Sequence, residues 1–102
     1  NNLYGNSDSI ILIRSFLSRL KRLIELKKLH KKLGSVSETV DNFRPQIFWK
    51  DKELVQKQVK IWSIEKVYNM LDEVNNLEIN FKRNSNLSNN LIFDFILNTS
   101  NN

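Results

Sequence analysis

The chain contains no cysteine. It therefore forms no disulfide and offers no thiolate to a metal or a substrate. It also lacks alanine, and across 102 residues it has two glycines, one proline and one histidine. The glycines, Gly5 and Gly34, are isolated and far apart. No glycine-rich phosphate cradle is expected, because such a loop needs clustered glycines leading into a helix. A single histidine, His30, sits between lysine-rich turns. No nucleophile–base–carboxylate set follows from its spacing, and it reads as an ordinary helix residue. No run of about 20 apolar residues occurs, so no membrane-spanning segment is expected. The opening Asn1-Asn2-Leu3-Tyr4-Gly5 has neither a basic nor an apolar leader pattern. Together with the missing cysteines, this favours the cytoplasm. No sustained period-two alternation or internal repeat competes with helix.

What is present is Asn, Ile, Leu and Lys in abundance, a bias typical of AT-rich coding. The sequon-like Asn86-Leu87-Ser88 and Asn98-Thr99-Ser100 read as chance matches in such a chain. A chain of this length is expected to form one domain, residues 1–102, with a modest core that buries roughly 60–65% of the unfolded surface. Residues 1–8 read as a frayed lead-in, as though the chain were a fragment cut from a longer one.

The net charge is +5 and unevenly placed. Eight cations lie between Arg14 and Lys32, opposed only by Glu25, so that segment carries +7 and the remainder −2. Such a segment attracts nucleic acid, acidic protein or anionic lipid, or is a solvated helix face.

The first helix is expected from about Ile10 to Leu33, with Asp8 or Ser9 as cap and Gly34 just past its end. Its apolar face is Leu12, Ile13, Phe16, Leu17, Leu20, Leu23 and Ile24. The stripe then changes sides. Leu26, Leu29 and Leu33 lie nearly opposite, while Lys27 and Lys31 take over the first face. The second stripe needs another cover, either a short following helix or another chain. Ser35-Val36-Ser37-Glu38 has the form of a capping box. It predicts a helix from Val36 to about Asn42, whose Val36 and Val40, with Phe43, would cover those leucines.

The organising stretch is Arg44 to Phe81. Pro45 fixes its own φ and disfavours helix at Arg44. Ile47-Phe48-Trp49 follows, then Leu54, Val55, Val59, Ile61 and Trp62 at helical spacing, predicting a helix over roughly Trp49 to Trp62. Trp62 is expected in the core, on the face shared with Leu54, Val55 and Ile61. Phe48 and Trp49 point in different directions, so one of them is expected at an interface, where Trp is a favoured anchor. Bases could also stack on such aromatics. Ser63 reads as an N-cap. Beyond it, Ile64, Val67, Tyr68, Leu71, Val74, Leu77 and Phe81 mark one face of a helix to about Lys82. Asn84-Ser85-Asn86 should end it. A last helix from about Ser88 to Leu97 carries Leu91, Ile92, Phe93, Phe95, Ile96 and Leu97. It is apolar nearly all round and should be sandwiched, with Asp94 needing a partner or solvent. The fold class is therefore all-α, a small bundle of about five helices.

The motif Arg-Pro-Gln-Ile-Phe-Trp-Lys (Arg44 to Lys50), followed by Trp62-Ser63-Ile64-Glu65-Lys66, resembles the C-terminal collar domain of the delta subunit of the bacterial DNA polymerase III clamp loader. Ile13-Arg14-Ser15, Glu78, Lys82 and the closing apolar helix extend the resemblance over most of the chain. Gln46 stands where many members of that family have a second proline, which touches only the local turn. The resemblance implies a collar-like helical fold and a non-catalytic subunit of a DNA-directed DNA polymerase assembly. It implies no ATPase site and no cofactor. In that family the C-terminal domains of five subunits form a ring, and the sliding clamp is contacted by an N-terminal domain that this chain does not include. The implied partners are other clamp-loader subunits and primer-template DNA nearby, with no membrane.

Candidate sites follow from surface logic. Leu26, Leu29, Leu33, Phe48 and Trp49 are the candidate subunit-interface residues. Arg14, Lys21, Lys28 and Lys32 fall within about 40° on the helical wheel and are the candidate nucleic-acid contacts. Glu25 lies in the same stripe and can pair with Lys21 or Lys28. Asp72, Glu73 and Glu78 are the only carboxylates worth weighing as hard-cation ligands. Lys82, four residues beyond Glu78, favours an ion pair there instead. No catalytic, metal or cofactor site is expected. The alternative function class is a stand-alone basic helical module that binds nucleic acid.

Overall fold

The structure, a computed structural model, describes residues 6–83 and 89–100. Among them it is all-α: α1 (Asn6–Leu33), α2 (Val36–Asn42), a 3-10 turn (Trp49–Asp51), α3 (Lys52–Ile61), α4 (Ile64–Arg83) and α5 (Asn89–Ser100). The expected bundle of about five helices is thus observed. The asparagine cluster proposed to end α4, and Ser88 ahead of α5, lie outside the described residues.

Local chemistry explains the boundaries. Gly34 adopts a φ of +80°, a left-handed conformation that glycine takes without penalty. Its amide donates to the His30 carbonyl at 2.8 Å and closes the last turn of α1. Ser35 then caps α2: its Oγ accepts from the Glu38 amide at 3.3 Å. The Ser35 carbonyl accepts from the Thr39 amide at 3.0 Å and from the Thr39 hydroxyl at 2.7 Å. This second bond satisfies the hydroxyl of a fully buried residue. Ser63 does the same for α4, its Oγ accepting from the Lys66 amide at 3.1 Å. The start of α1 departs from expectation. The helix begins at Asn6, so Asp8 and Ser9 lie inside its first turns instead of capping it, and Ser9 is buried. An acidic residue in a first turn complements the helix dipole there.

The chain divides into two compact units. One comprises residues 1–19 and 70–102, the other Leu20–Asn69, so α1 and α4 each contribute to both. Among the described residues of the first unit the buried apolar side chains are Ile13, Phe16 and Leu17 of α1, Val74 and Phe81 of α4, and Ile92 and Ile96 of α5. The Arg14 guanidinium meets the Glu78 carboxylate at 3.4 Å and ties α1 to α4, and Lys82 reaches the same oxygen at 3.4 Å. The expected Glu78–Lys82 ion pair is therefore present. Of the apolar residues expected to sandwich α5, Leu91 and Phe93 lie outside those whose side chains are described, and Phe95 is half-buried. Ile92 and Ile96, one turn apart, form its buried stripe, whereas Leu97 and Asp94 are exposed.

In the second unit the apolar core is Leu20, Leu23, Ile24 and Leu26 of α1, Val40 of α2, Ile47 of the connection that follows, Val55 and Val59 of α3, Trp62 just past its end, and Val67 of α4. α2 packs against α3, and the 3-10 turn packs against the start of α3. Lys52 donates to Asp41 at 3.0 Å across the α2–α3 pair. Lys27 occupies an apolar face of α1 for a physical reason. Its Nζ donates to the Val59 carbonyl at 2.9 Å, in the last turn of α3. Carbonyls there lack an intrahelical partner, and a cation complements the negative end of the dipole.

Candidate functional site

The segment from Arg44 to Trp62 decides which apolar groups reach solvent. Arg44 holds its own turn, its guanidinium donating to the carbonyls of Asp41 at 3.0 Å and Phe43 at 2.8 Å. Of the three apolar residues that follow Gln46, only Ile47 turns inward and is buried. Phe48 is 56% exposed and Trp49 is 70% exposed. Their rings stand 5.9 Å apart with a 51° tilt, and the Lys50 ammonium lies 5.4 Å from the Trp49 ring. The Asp51 amide donates to the Phe48 carbonyl at 2.9 Å and tightens the turn that presents both rings. The expectation that one of the two would face away from the core is exceeded, since both do.

The inward stripe is Val55 and Val59 of α3 and Trp62 just past its end, spaced by four and three residues. Trp62 is in the core as expected, with the Lys66 ammonium 4.6 Å from its ring. Leu54 and Ile61 were grouped with it on the sequence, and the structure corrects this: they are 49% and 64% exposed. Two stripes compete in this helix, one at 55, 59 and 62 and one at 54 and 61. The first has three members and the larger anchor, and the second is interrupted by Lys57. Tyr68 is corrected in the same way. It lies on the solvent side of α4, while Val67 beside it is buried.

The remaining interface candidates divide. Leu26 is fully buried within this chain, because its position adjoins Leu23 and widens the core face of α1. It is therefore removed from the interface set. Leu29 is half-buried and Leu33 exposed. Val40 is buried, and Val36 and Phe43 are half-buried.

Arg14 is exposed but engaged by Glu78. Lys21, Lys28 and Lys32 are exposed on the part of α1 that belongs to the second unit, and Lys28 pairs with Glu25 at 3.5 Å. Lys27 has its pKa lowered, first by burial and second by the Lys31 charge. His30 is half-buried. No cluster of His, Asp and Glu suited to a metal ion occurs among the described residues. Among them, no helix is long and apolar enough to cross a membrane.

Among the described residues, large apolar side chains are exposed in both units. Leu33, Phe48, Trp49, Leu54, Ile61 and Tyr68 belong to the second unit, against Ile11, Ile79 and Leu97 in the first. The second unit is also the basic one. Leu20–Asn69 holds twelve Lys and Arg against six Asp and Glu, leaving four against five in the rest of the chain. Such a surface can bind a macromolecule through apolar anchors with cations around them. No protein-family model matches this chain, and no curated protein or solved structure matches it.

Proposed function

We propose that this chain is a subunit-association domain, the collar domain of a clamp-loader delta subunit acting in bacterial DNA replication. It would pack against other clamp-loader subunits in the cytoplasm so that the assembly loads the sliding clamp on primed DNA. It would itself perform no chemistry.

One observation carries the reading. The segment Arg44 to Lys50, which bears the resemblance most strongly, is also the segment that turns Phe48 and Trp49 outward. Exposing two neighbouring aromatic rings is costly in water, and an interface recovers that cost. A second observation is consistent with it. Arg14, Glu78 and Lys82, three separate points of the resemblance, meet in one ion cluster.

The test is to mix this chain with the other clamp-loader subunits and follow complex formation by light scattering at low and moderate salt. A complex stable at both salts is expected. Trp49→Ala should weaken it at least about tenfold while leaving helicity intact. No complex, together with salt-sensitive binding to primer-template DNA that charge reversal at Lys21 and Lys28 abolishes, would replace this reading with the nucleic-acid module.

A further inference from the structure

Building on the subunit-association reading, we infer that the outward face of α3 docks an amphipathic helix of the partner whose apolar ridge is flanked by carboxylates. Leu54 and Ile61 are seven residues apart, two helical turns, so they project from the same side about 10 Å apart along the axis. That is the repeat at which one helix presents apolar knobs to another. Phe48 and Trp49 lie directly ahead of α3 in the chain, on the turn that packs against its start. The cations of this segment are the exposed Lys50, Lys57 and Lys60 and the half-buried Lys52, which is already paired with Asp41. Its carboxylates are Asp51 and Glu53, and the unit that carries it holds twice as many cations as anions. A carboxylate-flanked helix is the complement in both charge and shape.

The aliphatic pair selects protein over nucleic acid. Cations serve phosphates and aromatic rings serve bases, but Leu54 and Ile61 find no apolar counterpart along a nucleic-acid backbone. In the ridge of a facing helix they do.

The experiment uses two synthetic helical peptides of roughly three heptads, each with a leucine ridge. One has glutamates flanking the ridge and the other has lysines. A labelled primer-template duplex is the third probe. Binding to the full chain is read by fluorescence anisotropy, for the unmodified protein and for Leu54→Ser combined with Ile61→Ser. Both positions are exposed, and circular dichroism verifies that the variant folds. The glutamate peptide should bind at least about tenfold tighter than the lysine peptide, and the double variant should lose about tenfold for it. Equal affinity for the two peptides overturns the inference. So does an unchanged affinity in the double variant, or loss of duplex binding alone.

Mixing with the clamp-loader subunits separates this inference from the reading beneath it. A complex that the double variant forms undiminished overturns the docking face and leaves subunit association standing. If the unmodified chain forms no complex yet shows the peptide pattern, subunit association fails and the docking face holds.

Discussion

At the scale of single residues, two positions carry energetic weight that their surroundings make calculable. A Cβ built at Gly34 meets nothing within 4 Å, so its value lies entirely in its φ of +80°. Gly34→Ala should therefore cost about 1 kcal/mol through backbone strain alone. Gly34→Asn should recover part of the loss, since asparagine tolerates this conformation. Urea denaturation of the three proteins checks both statements. Lys27 is the second position. Its bond to the Val59 carbonyl is charge-assisted, and Lys27→Met should cost about 1 kcal/mol at neutral pH while keeping the stem packed. The pH dependence has a definite sign. Burial and the Lys31 charge hold the folded-state pKa below the ordinary lysine value. Over the window between the two pKa values the unfolded chain binds more protons, so stability rises with pH there. The contribution is complete above the ordinary lysine value and is lost as pH falls through the folded-state value. The gap between wild type and Lys27→Met should accordingly widen on the alkaline side, where a flat difference would show that the folded-state pKa of Lys27 is not lowered.

At the scale of elements, the helices were legible where local chemistry sets them. Gly34, Ser35 and Ser63 each act within four residues of themselves, and a sequence displays such neighbours directly. Ser63→Ala should cost about 1 kcal/mol, measured as a shift of the denaturation midpoint, because the Lys66 amide loses its acceptor at the start of a 20-residue helix. The direction in which a helix faces was less legible. Leu54 and Ile61 have the same spacing as a core stripe, and only the partners of α3 decide that Val55, Val59 and Trp62 are the ones covered. For Leu26 the sequence leaves two covers open, the short following helix or another chain, and its full burial within this chain agrees with the first. Lys27 was visible as a lysine on an apolar face. The carbonyl that explains it comes from Val59, 32 residues away, and no local rule reaches that far. Of the candidate interface, Phe48 and Trp49 were readable as a pair unable to share one core. Their extension along α3 was hidden by the same ambiguity of stripes.

At the scale of the whole molecule, the two tryptophans make a paired experiment. Trp62 is buried and Trp49 is 70% exposed. Trp62→Ala removes a large side chain from the core and should cost about 3–5 kcal/mol, a large share of what a domain of this size possesses. Trp49→Ala should leave the stability of the isolated chain within about 0.5 kcal/mol of wild type, because it opens no cavity. A partner that binds only the folded chain adds RT ln(1 + [L]/Kd) to its stability, about 2.7 kcal/mol at a hundredfold excess over Kd. On the proposed association, the melting temperature of the wild-type chain should therefore rise when clamp-loader subunits are present. Trp49→Ala, melting like wild type alone, should lose most of that rise. Trp62→Ala should melt low alone and be partly rescued by the same subunits, since the binding face remains. An equal rise for wild type and Trp49→Ala would take Trp49 out of the interface, whatever the complex turned out to be.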